Sequence, residues 1–157
     1  MLAKRMILGV CAVLAVAACW PREATVGSAY QVKVIDRSGR GLGKLTVHRN
    51  IDDYTGREDA SISVDAVTDN GGEASFPGEM KRISFAGQAL GCARQILSAG
   101  AHAGCGTYSD IAVSSNQWVE YARDDKPAGG GRSLLLTMSE CPSGDYWTCA
   151  NALHAHD

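Results

Sequence analysis

Large aromatic anchors are scarce in this chain: it has 2 Phe in 157 residues, and aromatics make up 6%. Set against 18 Gly, that scarcity excludes a core of long, aromatic-rich helices and favours short strands joined by many turns. A basic excess is also missing. The formal net charge of −2 argues against a non-specific nucleic-acid binder, whose footprint is a basic face. Long hydrophobic runs are missing as well, since a spanning helix needs roughly 20 apolar residues and residues 7–18 (ILGVCAVLAVAA) give twelve. Signatures of catalysis and metal binding are lacking. There is no G-x-S-x-G nucleophile elbow, no H-E-x-x-H zinc pair, no D-x-[DN]-x-[DN]-G calcium loop and no C-x₂₋₄-C pair. The reading is of a protein that is not an enzyme and needs no cofactor.

The N-terminus carries the clearest signal. Lys4 and Arg5 precede the twelve uncharged residues, which end in small side chains. A positive start, a short apolar run and a small-residue end mark residues 1–18 as a secretory signal peptide. Val16-Ala17-Ala18-Cys19 then resembles the lipobox of bacterial lipoproteins, an aliphatic residue and two small ones before an acceptor cysteine. The resemblance implies that Cys19 receives the lipid and becomes residue one of a membrane-anchored protein. Several acyl chains on one cysteine anchor durably, whereas a single chain binds only marginally. In the lipoproteins that this start resembles, an Asp after the cysteine favours inner-membrane retention, so with Trp20 there the resemblance implies an outer-membrane lipoprotein facing the periplasm or the surface. Ordinary cleavage at Ala15-Val16-Ala17 is the alternative, and would leave a soluble periplasmic or secreted protein. Loss of Lys4 and Arg5 moves the net charge from −2 to −4, which suits a domain held at a membrane rather than lying on anionic lipid.

Removing Cys11 with the signal and Cys19 to lipid leaves Cys92, Cys105, Cys141 and Cys149. Four cysteines allow three connectivities. Proximity in sequence and flanking turn residues favour Cys92–Cys105 and Cys141–Cys149, each stabilising by roughly 3 kcal/mol in the chain-entropy model.

The domain boundaries follow: residues 19–29 a lipidated tether, 30–140 the folded domain, 141–157 a disulfide-containing C-terminal tail. Period-two alternation predicts strands at residues 30–34 (YQVKV), 44–48, 60–66, 82–85, 107–113, 117–123 and 133–138. Residues 36–39 (DRSG), 69–72 (DNGG) and 129–131 (GGG) are turn signals, and Asn70-Gly71 predicts a tight hairpin with positive φ at its centre. Only residues 88–98 read as helix, weakened by Gly91.

The runs VKVIDRSGRGLGKLTV and VTDNGGEASFPG resemble the opening of transthyretin-like or carboxypeptidase-regulatory-like domains. The matching positions are Asp36, Gly39, Leu42, Val47, Thr68, Asp69, Gly72 and Phe76, over a third of the chain. What the resemblance implies is an all-β, Greek-key antiparallel β-sandwich, transthyretin-like or Ig-like, with residues 87–106 inserted. Its motifs are structural, so no peptidase activity comes with it.

Four sets of side chains bear chemistry. His154 and His156 form a His-x-His at the C-terminus, a pattern that binds copper or nickel when a third ligand joins it. The plainer reading is a solvated tail. Asp52-Asp53 and Glu58-Asp59, interleaved with Arg49 and Arg57, read as an exposed, self-neutralising loop. Trp118 reads as core, with Tyr121 near it. Tyr146-Trp147, between Cys141 and Cys149, reads as a constrained aromatic recognition surface. The expectation is an envelope lipoprotein with a non-catalytic binding or scaffolding domain. Its partners are the membrane, through Cys19, and an envelope protein or glycan, with no nucleic acid. A periplasmic metal-handling protein using the His-x-His, a component of an envelope secretion machine and an inhibitor of a host hydrolase are the alternatives.

Overall fold

The computed structural model describes residues 11, 14–54, 61–99, 105–128 and 131–154. The elements run β1 (Arg22–Gly27), β2 (Tyr30–Asp36), β3 (Thr46–Asp53), β4 (Ser61–Val67), β5 (Glu73–Phe76), β6 (Glu79–Ile83), α1 (Phe85–Ala99), β7 (Thr107–Ser114), β8 (Trp118–Ala128), β9 (Gly131–Glu140) and α2 (Tyr146–His154). They fall into two compact units. One comprises Met1–Gly27, Ile51–Ser61 and Met80–Tyr108, the other Ser28–Asn50, Ile62–Glu79 and Ser109–Asp157.

The second unit holds the main core. A four-stranded sheet in the order β5-β2-β9-β8 and a three-stranded sheet in the order β4-β3-β7 contribute to it. Alternation decides which side chains enter. Tyr30, Val32 and Val34 of β2, Ala74 and Phe76 of β5, and Leu134, Leu136 and Met138 of β9 are buried with Val47 of β3 and Ile111 of β7. Leu45, Val64, Ala66, Val113 and Trp118 pack partly against them. Both sheets share one apolar interior, so the unit is mostly β and sandwich-like.

Two copies of one turn shape this unit. In Asp36–Arg40 the Asp36 Oδ1 accepts from the Ser38 and Arg40 amides, and Asp36 N donates to Arg40 O. In Asp69–Glu73 the Asp69 Oδ1 accepts from the Gly71 and Glu73 amides, and Asp69 N donates to Glu73 O. The fourth residue of each turn has positive φ, Gly39 at 84° and Gly72 at 79°, a conformation that favours glycine. A carboxylate two residues before the amides it receives is the Asx-turn chemistry that makes Asp a turn residue.

The strand of chain between the turns is held by Thr68. Its buried Oγ1 donates to Leu42 O at 2.8 Å and accepts from Leu45 N at 2.9 Å. Val34 N donates to Gly72 O, and Leu42 N to Val34 O. Backbone passes so close here that a Cβ on Gly72 would lie 2.2 Å from Val34 O, and one on Gly41 2.0 Å from Gly71 O. Asp36, Gly39, Thr68, Asp69 and Gly72 thus shape the turns of this unit, while Leu42, Val47 and Phe76 enter its core.

Several expectations are corrected. The sheets are not antiparallel throughout, because β2 pairs in parallel with β9 from Tyr30 opposite Arg132 to Asp36 opposite Met138. Residues 69–72 do not make a two-residue hairpin. The strands on either side belong to different sheets, and positive φ falls on Gly72 rather than on Asn70 and Gly71. Helix α1 contains the stretch 88–98 that read as helical, whereas α2 is a helix where none was expected. Phe85 opens α1, so the predicted strand over 82–85 ends earlier, as β6 at Ile83.

In the first unit, Arg22–Gly27 of the expected tether forms β1, which pairs with β6. Most of the expected insertion is α1, tied by Cys92–Cys105. Residues 14–19 are helical. Among the described residues no helix is long and apolar enough to cross a membrane.

Candidate functional site

Both disulfides form as paired in the sequence reading, Cys92–Cys105 with Cα atoms 5.2 Å apart and Cys141–Cys149 with Cα atoms 5.6 Å apart. The two free cysteines are Cys11 and Cys19, both exposed. The oxidised set and the free set therefore divide at the proposed lipid-attachment cysteine.

Cys141–Cys149 builds a surface rather than a loose tail. Tyr146–His154 is helix α2, where a looped tail was expected. Asp145 caps it, accepting at Oδ2 from Thr148 N and from the Thr148 hydroxyl. Those hydrogen bonds, the hydroxyl first, hold the Asp145 carboxyl below its ordinary value. Val119, Cys141 and Ala150 are buried together, with Cys149 and Leu153 partly packed on them, and this fastens α2 to β8. The face left outward carries Tyr146 and Trp147, edge to face with ring centroids 5.5 Å apart and Trp147 72% exposed.

A groove of about 310 Å³ lies at one end of the sheet, lined by Asp36, Arg37, Arg40, Trp118, Met138 and Glu140, among others. The register of β8 against β9 skips Tyr121, since Glu120 opposes Met138 and Ala122 opposes Thr137. That bulge frees Tyr121 from the ladder, and the Arg37 guanidinium stacks over its ring at 4.0 Å. Arg40 pairs with Asp36 at 3.3 Å. The Ser38 hydroxyl first, then the Arg40 amide, hold the Asp36 carboxyl below its ordinary value. It is an anion committed to its turn, not a proton acceptor poised near neutrality. Stacked rings and fixed guanidinium groups suit recognition of planar or anionic groups. The pairing of Arg37 with Tyr121 had no local signal in the sequence.

A second groove of about 290 Å³ runs over Gln31, Lys33, Glu73, Ser75, Ser133 and Leu135 on the same sheet, with Lys33 and Glu73 paired at 3.2 Å. It offers no aromatic side chain.

The remaining candidates separate. Asp52 and Asp53 end strand β3 rather than lying in a loop. Asp53 is buried and pairs with Lys81 at 2.8 Å, and Asp52 accepts from Ser61 Oγ at 2.7 Å. Arg49, expected at an exposed loop, is 1% exposed. Arg57, Glu58 and Asp59 lie outside the described residues. The backbone of His154 ends α2, while His156 lies outside the described residues. Among the described residues no three His, Cys, Asp or Glu side chains gather as a metal site.

No family model matches the chain. No curated protein matches it either. Among solved structures it is similar to a 3-chlorocatechol 1,2-dioxygenase from Rhodococcus opacus 1CP, at 13% identity and a TM-score of 0.43. The match takes in 76% of this chain and 62% of that one, so the chain spans less than two thirds of its length.

Proposed function

We propose that this chain is a bacterial cell-envelope lipoprotein, anchored through Cys19, whose Greek-key, transthyretin-like sandwich binds or scaffolds an envelope protein or glycan without catalysis. The division of the cysteines carries the reading. Cys92, Cys105, Cys141 and Cys149 are all paired, as an oxidising compartment favours, and Cys19 is free and exposed at the end of residues 16–19, which resemble a lipobox. Support for the binding role comes from Tyr146 and Trp147, held outward on a capped, disulfide-tied helix, and from the Arg37–Tyr121 stack beside the end groove. Exposed aromatics on a rigid support resemble interface anchors.

The test has two parts. Fractionation and intact-mass measurement of wild type and Cys19→Ser should show the wild type in the membrane fraction with added acyl mass, and the variant soluble. A Cys19→Ser chain that stays in the membrane with unchanged mass sinks the anchor. Cross-linked capture from intact cells should then yield a partner that Trp147→Ala loses. Equal capture by that variant sinks the aromatic surface.

A further inference from the structure

Helix α1 is amphipathic with its sides reversed. At 100° per residue, Phe85, Ala89, Ala93, Ile96, Leu97, Leu90 and the half-buried Ala86 fall on one arc and Gln88, Gly91, Gln95 and Ser98 on the other. In a helix that serves a core, the apolar arc is the covered one. Here Gln88, Gly91 and Gln95 are half-buried, while Phe85, Ala89, Leu90, Ala93, Ile96 and Leu97 are exposed, Leu97 at 86%. The helix carries no acidic residue, and its one charge is Arg94.

Its position in the chain says what covers that face. Two residues separate Cys19 from Arg22, and the three steps between them reach at most about 11 Å. The Arg22 guanidinium sits 3.5 Å from the centroid of the Phe85 ring at the start of α1. Strand β1 pairs with β6, which leads directly into α1, and Arg82 of β6 pairs with Glu23 of β1 at 3.7 Å. Trp20, next to Cys19, is exposed, and Trp is a side chain that settles at the membrane–water interface. A lipid on Cys19 would therefore place the bilayer beside the first turn of α1. Cys92, on the flank of the helix between Gln88 and Phe85, ties it to Cys105, and Leu90, Ile96 and Leu97 remain exposed.

We infer that α1 is an interfacial helix, lying in the surface of the bilayer that the Cys19 lipid enters, with Phe85, Leu90, Ile96 and Leu97 among its acyl chains. The inference rests on the proposed lipoprotein reading. A monotopic helix of this kind sinks its apolar face roughly 5–10 Å into the headgroup boundary, and α1 is about 22 Å long, enough to lie flat over several lipids. The consequence is orientation: two attachments hold the protein at a fixed attitude, where a lipid alone would let it swivel.

The test uses full-length lipidated protein, with acyl mass on Cys19 verified, reconstituted in phosphatidylethanolamine/phosphatidylglycerol vesicles containing brominated acyl chains. Tryptophan is placed at Ala89→Trp or Ser98→Trp, on opposite arcs, in a Trp20→Phe background. Loss of the added fluorescence at position 89, with position 98 unquenched, supports the inference. An unquenched residue 89 on a mass-verified lipidated protein overturns it and leaves the lipoprotein reading standing. If Cys19 bears no lipid, that reading fails by mass, and the same chain mixed with the vesicles still decides: quenching at 89 supports an interfacial helix, and no association overturns it. A concentration-dependent dimer in sedimentation that protects residue 89 without bromine quenching assigns the face to a second copy and overturns the inference too. Circular dichroism of each variant confirms that the fold is retained.

Discussion

The Arg49 guanidinium lies 5.3 Å from the centroid of the Tyr30 ring, with both residues buried in the same unit. Its nitrogens donate to Ser28 O at 2.7 Å, Pro77 O at 3.2 Å and Ser109 Oγ at 3.0 Å. Burial lowers its pKa from the usual guanidinium value, yet an arginine stays charged in proteins. Three segments distant in sequence are thus fastened by one planar cation. Arg49→Met should cost about 2–4 kcal/mol, because two carbonyls and a hydroxyl lose their donor while the apolar stem is kept. Arg49→Lys should recover little, since an ammonium lacks the fork. Urea unfolding of the three proteins measures it; a loss below about 0.5 kcal/mol in Arg49→Met would remove the cation from the core's support.

Thr68 gives a second, smaller test. Thr68→Val keeps the shape but deprives Leu42 O of its donor and Leu45 N of its acceptor. A cost of about 1–3 kcal/mol is expected. Gly72→Ala should cost more than about 1 kcal/mol, since φ is 79° and a Cβ would meet Val34 O. Gly39→Ala has the same φ penalty but open space around its Cβ, so it should be the milder of the two. Thermal denaturation ranks them, and the reverse order would contradict the close approach at Gly72.

Acid should loosen the Asp36 turn. Its folded pKa lies below the ordinary 3.8, so the ionised carboxylate stabilises the fold above that value, and the contribution fades as pH falls through the lower folded pKa. Asp36→Asn retains an oxygen acceptor for the Ser38 and Arg40 amides but carries no charge. The stability gap between wild type and Asp36→Asn should be full near neutrality and close as pH drops below 3.8, followed by denaturant melts across pH. A gap independent of pH would mean that the charge contributes nothing.

The two disulfides should behave differently on removal. Cys141→Ser with Cys149→Ser opens a loop with a sequence separation of 8 and should lower global stability by about 2.5 kcal/mol, with α2 loosening from Val119. Cys92→Ser with Cys105→Ser releases a helix that contributes no side chain to either buried cluster. Its effect should appear as faster amide exchange confined to α1, with the main unfolding midpoint nearly unchanged. Hydrogen exchange by mass spectrometry separates the two cases.

Strands β2 and β9 were legible because only one face of each enters the core, and alternation at Tyr30, Val32 and Val34 records that directly. Both Asp-headed turns were legible as turns, since Asp and Gly at a spacing of three encode them locally. What joins across the turns is not local, which is why 69–72 read as a hairpin. Parallel pairing of β2 with β9 leaves no mark in either strand's own pattern. Helix α2 was hidden because its packing rests on Ala150, Cys149 and Leu153, too few apolar positions to show a period. Of the candidate surface, Tyr146 and Trp147 were visible as neighbours, whereas Arg37 and Tyr121 meet only through a bulge.

Strand β9 is the seam of the four-stranded sheet, lying between β2 and β8, and it follows all three of the sheet's other strands in sequence. Until residues 131–140 exist, β2 and β5 on one side and β8 on the other have nothing to join them. The sheet cannot close before β9 is made, and long-range pairing of this kind is intrinsically slow. A sheet in which β2 waits for β9 stays open while everything between those two strands is being made.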